Sequence, residues 1–182
     1  EAGTNITTGE QNVGVGFEAL KATTTSDNNV AIGMRALLSN ETGTKNTAVG
    51  NQALYNNTGS ENTAVGANAG VSITSGTQNT IMGVFAGDAI TTGDSNVALG
   101  KSALSANTQS NRNIAIGDSA LATMNVASDT DTYNVGIGHF AGGSITTGTG
   151  HTLIGGLAGD ALTTGLGNTA VGQNALTSDT TG

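Results

Sequence analysis

The chain has no cysteine, no proline and no tryptophan, and its 182 residues include only three phenylalanines and two tyrosines. Each shortage removes a class of molecule. Without cysteine there is no disulfide framework, no thiolate metal centre and no cysteine nucleophile. Five Lys and Arg against thirteen Asp and Glu leave a net charge of −8. No basic surface exists to neutralise a phosphate backbone, which argues against nucleic-acid binding. No apolar run is long enough to cross a bilayer, so the segment is not expected to insert in a membrane, and no signal peptide is present. A core built on aromatics is excluded by supply. Disorder fits poorly as well, because charged residues are only 10% of the chain and the apolar residues fall in register.

What is abundant is glycine, 29 residues, and one phrase. "NTAVGNQAL" at 46–54 returns as "NTAVGANAG" and "NTAVGQNAL". With its first residue as position 0, the phrase starts at Asn12, Asn29, Asn46, Asn62, Asn79, Asn96, Asn113, Asn134, His151 and Asn168. The period is seventeen residues, with one copy of sixteen and one of twenty-one. Position +4 is always glycine: Gly16, Gly33, Gly50, Gly66, Gly83, Gly100, Gly117, Gly138, Gly155 and Gly172. Position +7 is always alanine, from Ala19 to Ala175. A fixed period of this length is the mark of a stacked repeat architecture.

Each position implies a local structure. Positions +1 to +3 are β-formers of period two, so +1 and +3 share one face and +2 takes the other. The larger +1/+3 residues suit the inside of a coil, and the small +2 residue suits close approach of a neighbouring backbone. Glycine at +4 suits a bend with positive φ or no room for a side chain. Alanine at +7 suits a tight corner, after which a second short strand completes the coil. Position +8 is Leu in six copies and Gly in four, and every Gly copy has an aliphatic at +11: Ile73, Ile90, Ile145 and Leu162. These read as two ways of filling one interior. Glycine three residues before most phrases suits a left-handed turn. The opening asparagines would stack into a polar ladder. The fold class is therefore all-β, a parallel β-solenoid of about ten coils, roughly 50 Å long, and residues 1–182 form a single array. Both ends cut through a repeat without capping copies, which implies a segment of a longer chain. A slim rod of small residues gains by association, expected through the Ala/Gly face.

The phrase "NVAIGMRAL" at 29–37 resembles the head repeat of YadA-type trimeric autotransporter adhesins, whose core is Asn-Ser-Val-Ala-Ile-Gly. Similar arrays occur in bacteriophage tail fibres. The resemblance covers essentially the whole chain. It implies a left-handed β-roll in a homotrimer, with the position-0 Asn in a turn and the +3 aliphatic inside. The seventeen-residue period departs from the usual fourteen and favours the phage-type arrays. The expectation is a structural, non-enzymatic fibre shaft on a virion surface, without a cofactor. It would associate with itself and serve attachment to a receptor on a host surface. The alternative is the head of a bacterial adhesin on a cell surface.

Other chemistries leave traces that can be checked. "VGNQAL" matches the hexapeptide pattern of left-handed β-helix acyltransferases, but once per coil rather than three times. Such an enzyme would need His139 or His151 in a pocket between coils. His139 occupies the variable +5 position and His151 replaces a ladder Asn, so a structural role is expected for both. The RTX calcium nonapeptide is absent, and Asp88, Asp94, Asp118 and Asp160 are scattered. Thr pairs at 91–92, 146–147 and 163–164 could suggest ice binding, but adjacent residues of a strand point to opposite faces. The sequons at Asn5 and Asn40 have no secretory context. The twenty-one-residue copy carries its extra residues within 122–133, an outward loop where Met124, Val126 and Tyr133 offer lateral contact.

Overall fold

The computed structural model describes residues 1–182. Ten three-residue strands run along the chain: β1 (Val13–Val15), β2 (Val30–Ile32), β3 (Thr47–Val49), β4 (Thr63–Val65), β5 (Thr80–Met82), β6 (Val97–Leu99), β7 (Ile114–Ile116), β8 (Val135–Ile137), β9 (Thr152–Ile154) and β10 (Thr169–Val171). They form one parallel sheet in sequence order, and equivalent positions pair from copy to copy without a slip. The chain is a β-solenoid with no helix, so no helix is long and apolar enough to cross a membrane.

There is no second strand. The rest of each coil is a succession of turns, yet it is hydrogen-bonded as thoroughly as the sheet: only 18 of 105 backbone hydrogen bonds lie within the strands. The device is a set of left-handed residues at positions −1, +6 and +8 in all ten copies, with φ between 49° and 63° where the residue is not glycine. Leu20, Leu37, Leu54, Leu104, Leu121 and Leu176 are among them. A left-handed conformation costs a side-chain-bearing residue about 1–2 kcal/mol. Here it swings each N–H along the solenoid axis. Asn28 donates back to Glu10 (3.0 Å), Arg35 back to Phe17 (2.8 Å), and Leu20 forward to Ala36 (3.1 Å). A buried backbone donor left unpaired would cost about as much as the strain.

The strand alternation is the reverse of the one expected. From β2 onward every +2 residue is buried, from Ala31 to Ala170, while +1 and +3 are exposed or half-exposed. Beside the strand the coil holds a small residue at +2 in eight copies, and the larger Ile81 and Leu153 are buried there only where +8 is glycine, at Gly87 and Gly159. The wider part is filled from the opposite wall by the +7 alanines and the +8 or +11 plug, all buried through the ninth coil wherever the plug is aliphatic.

The two plug forms compete for the same space. A Cβ built at Gly70, Gly87, Gly142 or Gly159 would lie 2.9–3.0 Å from the Cδ1 of its own +11 aliphatic. Neighbouring coils share the same interior. Leu153, the large +2 residue of β9, reaches into the space above Gly142 and Gly159. In the seventh copy both Leu121 and Met124 are buried, and the coil above answers with Gly136 at +2, where a Cβ would meet Leu121 Cγ at 2.8 Å.

Glycine at +4 is required twice over. Its φ lies between 125° and 140°, and from Gly16 to Gly155 an added Cβ would fall within 2.6 Å of the next coil's glycine carbonyl oxygen. The turn glycines at −3 differ from expectation. Gly9, Gly43, Gly59, Gly76, Gly93, Gly148 and Gly165 have no left-handed φ, and that role falls to position −1. Their lack of a side chain matters because the next coil's backbone passes close by, as at Gly43 and Gly59.

Candidate functional site

The sheet's outward face is the most extensive feature the fold presents. Its +1 column reads Val13, Val30, Thr47, Thr63, Thr80, Val97, Ile114, Val135, Thr152 and Thr169. Its +3 column reads Val15, Ile32, Val49, Val65, Met82, Leu99, Ile116, Ile137, Ile154 and Val171. None of the twenty carries charge. Even mid-array, Met82 and Leu99 are 43% and 40% exposed. At the border, the +5 column adds exposed Phe17, Met34 and Val84. Parallel sheets are ordinarily covered on both faces and rich in Val and Ile for that reason. This sheet has the composition, but its own coil covers only one face. Ten strands at about 4.8 Å spacing make the open face roughly 45 Å long.

A polar column at −1 flanks it. Lys45 pairs with Glu61 (3.5 Å), Gln78 donates to Glu61 (3.2 Å), and Arg112 pairs with Asp131 beneath the Tyr133 ring, 5.9 Å from its centroid. The Tyr133 hydroxyl also donates to Asp131 (3.0 Å), and these partners hold the Asp131 carboxyl below its ordinary range. Of the three residues expected to form a lateral contact loop, only Tyr133 is exposed. Met124 is buried at +11 as a plug, its sulfur 3.2 Å from Asn134 Nδ2, and Val126 is half-buried. Its place in the frame, three residues after Leu121, is the signal that identifies Met124 as interior. Exposed residues 127–130 make up the loop.

Inside the turn wall runs the asparagine ladder. Asn29, Asn46, Asn62, Asn79, Asn96, Asn113 and Asn134 are wholly buried. Each backbone N–H donates to the amide oxygen of the ladder residue one coil below, at 2.9–3.1 Å. Most side-chain amides donate in turn to the carbonyl of the turn that leads into the next coil, as Asn79 does to Gly93 (2.8 Å). Asn12 and Asn168 are the partly exposed ends of the column. Asn40, Asn57 and Asn107, at +11 of Leu-form copies, are buried and donate to the same turns. Threonine hydroxyls of the turn, such as Thr74 and Thr91, donate to the next coil's carbonyl.

The two histidines are far apart in setting. His139 is exposed at +5, and His151 is buried in the ladder. The one concavity is an open, polar hollow lined by Asn174, Leu176 and residues 177–180, and neither imidazole borders it. No three His, Asp or Glu side chains converge as a metal site would require. Comparison of the chain with family models, with curated proteins and with solved structures returned no match.

Proposed function

We propose that this chain is a structural shaft: a stiff, repetitive segment of a surface attachment fibre, in which three copies pack side by side through their outward sheet faces. The observation that carries the reading is the uncharged face, apolar along its whole +3 column and Val, Ile or Thr along +1, that runs along all ten strands. A parallel sheet of this composition calls for a second cover, and another copy, with the same length and pitch, supplies one. The count of three follows from the resemblance to YadA-type heads, and the choice of face from burial. This reverses the earlier assignment, in which the small +2 residues met the neighbouring chain. A phage tail fibre on the virion surface is the first choice, on the seventeen-residue period. The head of a bacterial adhesin is the second.

The test is the mass of the chain in solution by sedimentation or light scattering, for the native sequence and for Leu99→Lys. The native chain is expected at three times its monomer mass. Leu99→Lys is expected to dissociate it with unchanged circular dichroism, because position 99 points away from the coil interior. A stable native monomer sinks the assembly, and a trimer indifferent to charge at position 99 sinks the choice of face.

A further inference from the structure

His151 is the one ladder position that is not asparagine, and the substitution changes what the rung can do. The Asn168 backbone N–H donates to His151 Nδ1 at 3.1 Å, and the His151 N–H donates to Asn134 Oδ1 at 3.0 Å. The imidazole thus takes over the acceptor role of an Asn Oδ1, which it can do only while Nδ1 is unprotonated. Its other nitrogen, Nε2, is buried without a hydrogen-bond partner, lodged against Gly148, where a Cβ would lie 2.6 Å away. The groups packed on the ring are Asn134 from the coil before, Asn168 from the coil after, and the glycines of the turns, and none of these titrates. Asp131, one coil below in the turn column, is engaged by Arg112 and Tyr133. Of the other ionisable side chains of these coils, His139 and Asp160 sit at +5 and +9, and Asp179, at +11 of the last coil, accepts from the Thr181 and Gly182 N–H groups on the far side of Asn168.

We propose that His151 makes the junction between the ninth and tenth coils an acid-labile joint in an otherwise pH-indifferent ladder. Protonation sets an Nδ1–H against the Asn168 N–H, two buried donors facing each other where one hydrogen bond had been. Burial holds the His151 imidazole below its ordinary range, outweighing the opposing influence of the Gly165 backbone, which lies beyond hydrogen-bond reach of Nε2, and no charged group contributes. The sign follows. The unfolded chain takes up the proton more readily than the folded one, so the junction has its full stability above the ordinary imidazole range and loses it as pH falls below that range. An amide side chain at the same place does not titrate, so the other rungs lack this dependence.

The test is hydrogen exchange of the native chain and of His151→Asn at about pH 7.5 and about pH 5, corrected for intrinsic exchange rates. Protection of the Thr152–Ile154 and Thr169–Val171 amides is expected to fall about tenfold or more in the native chain on acidification. It should hold steady in His151→Asn, which restores the side chain found at the other rungs. His139→Asn should leave the fall intact. The imidazole resonances of His151 should titrate over the same interval. Equal behaviour of native and His151→Asn chains overturns the proposal. So does a His151 ring already charged at neutral pH with the junction protected.

Discussion

Converting one plug form into the other is the sharpest perturbation of the coil interior. Leu37→Gly removes a fully buried side chain at position +8. Truncations of buried leucine cost about 3–5 kcal/mol, and relief of the left-handed strain at φ 49° returns about 1 kcal/mol, for a net loss of about 3 kcal/mol. Asn40→Ile alone forces a branched side chain into space that Leu37 occupies, an overpacking cost of about 1–3 kcal/mol. It also deletes a buried Asn40 Oδ1 that has no partner, while the Gly43 carbonyl keeps its bond from Asn29 (3.0 Å). The net loss for this single change is about 1 kcal/mol. The double variant recreates the arrangement of Gly70 with Ile73, in which Ile73 Cδ1 lies 2.9 Å from the absent Cβ. It is expected within about 1 kcal/mol of the native chain, a favourable coupling of about 3 kcal/mol. Urea unfolding of all four chains at one protein concentration measures this, with hydrogen exchange of residues 37–57 as the local readout. Additive losses would refute the account of two interchangeable fillings.

Gly83→Ala drives a Cβ into the Gly100 carbonyl at φ 138°, and strain plus overpacking should cost roughly 3–5 kcal/mol. Hydrogen exchange should show opening centred between the fifth and sixth coils. Gly136→Ala should destabilise by about 1–3 kcal/mol through collision with Leu121, and Leu121→Ala in the same chain should recover part of that loss in a thermal melt. Burial pushes the Asp88 carboxyl above its ordinary range, and its Oδ1 has no partner. A raised carboxyl favours the folded state as pH falls, so the charged form is penalised at neutral pH. Asp88→Asn should melt higher at pH 7, and the difference should shrink toward pH 4.

The period, the register, the bend at Gly50 and its equivalents, and the stacking of the ladder asparagines could all be read from the sequence, because each depends on local geometry repeated ten times. The direction of the strand faces could not. Alternation shows that Thr47 and Val49 oppose Ala48, but not which side is inside. Size pointed the wrong way because the interior is filled mainly from the opposite wall by the +8 or +11 plug, which leaves room for a large +2 residue only at Ile81 and Leu153, where +8 is glycine. The left-handed leucines were hidden for a related reason. Leucine seldom takes that conformation, and only the hydrogen bonds between coils, absent from any single copy, make it tolerable at Leu20 or Leu37. Met124 lies beside the insertion of its copy, yet it still obeys the +11 frame and is buried, because the four added residues follow it and leave the coil interior unshifted.

The glycine column has a consequence for evolution as well as for shape. Because no side chain can enter between one +4 glycine and the next carbonyl, the advance per coil is fixed by backbone contact alone. Length becomes a matter of counting. Excising or duplicating one copy would shorten or lengthen the rod by a single strand spacing, about 4.8 Å, and leave the outward face continuous. Near-identical phrases such as those at Asn46 and Asn168 are the substrate that recombination needs to do this. The seventh to ninth coils are the exception, since Leu121 is fitted to Gly136 and Gly142 and Leu153 to Gly142, and these coils would have to move together.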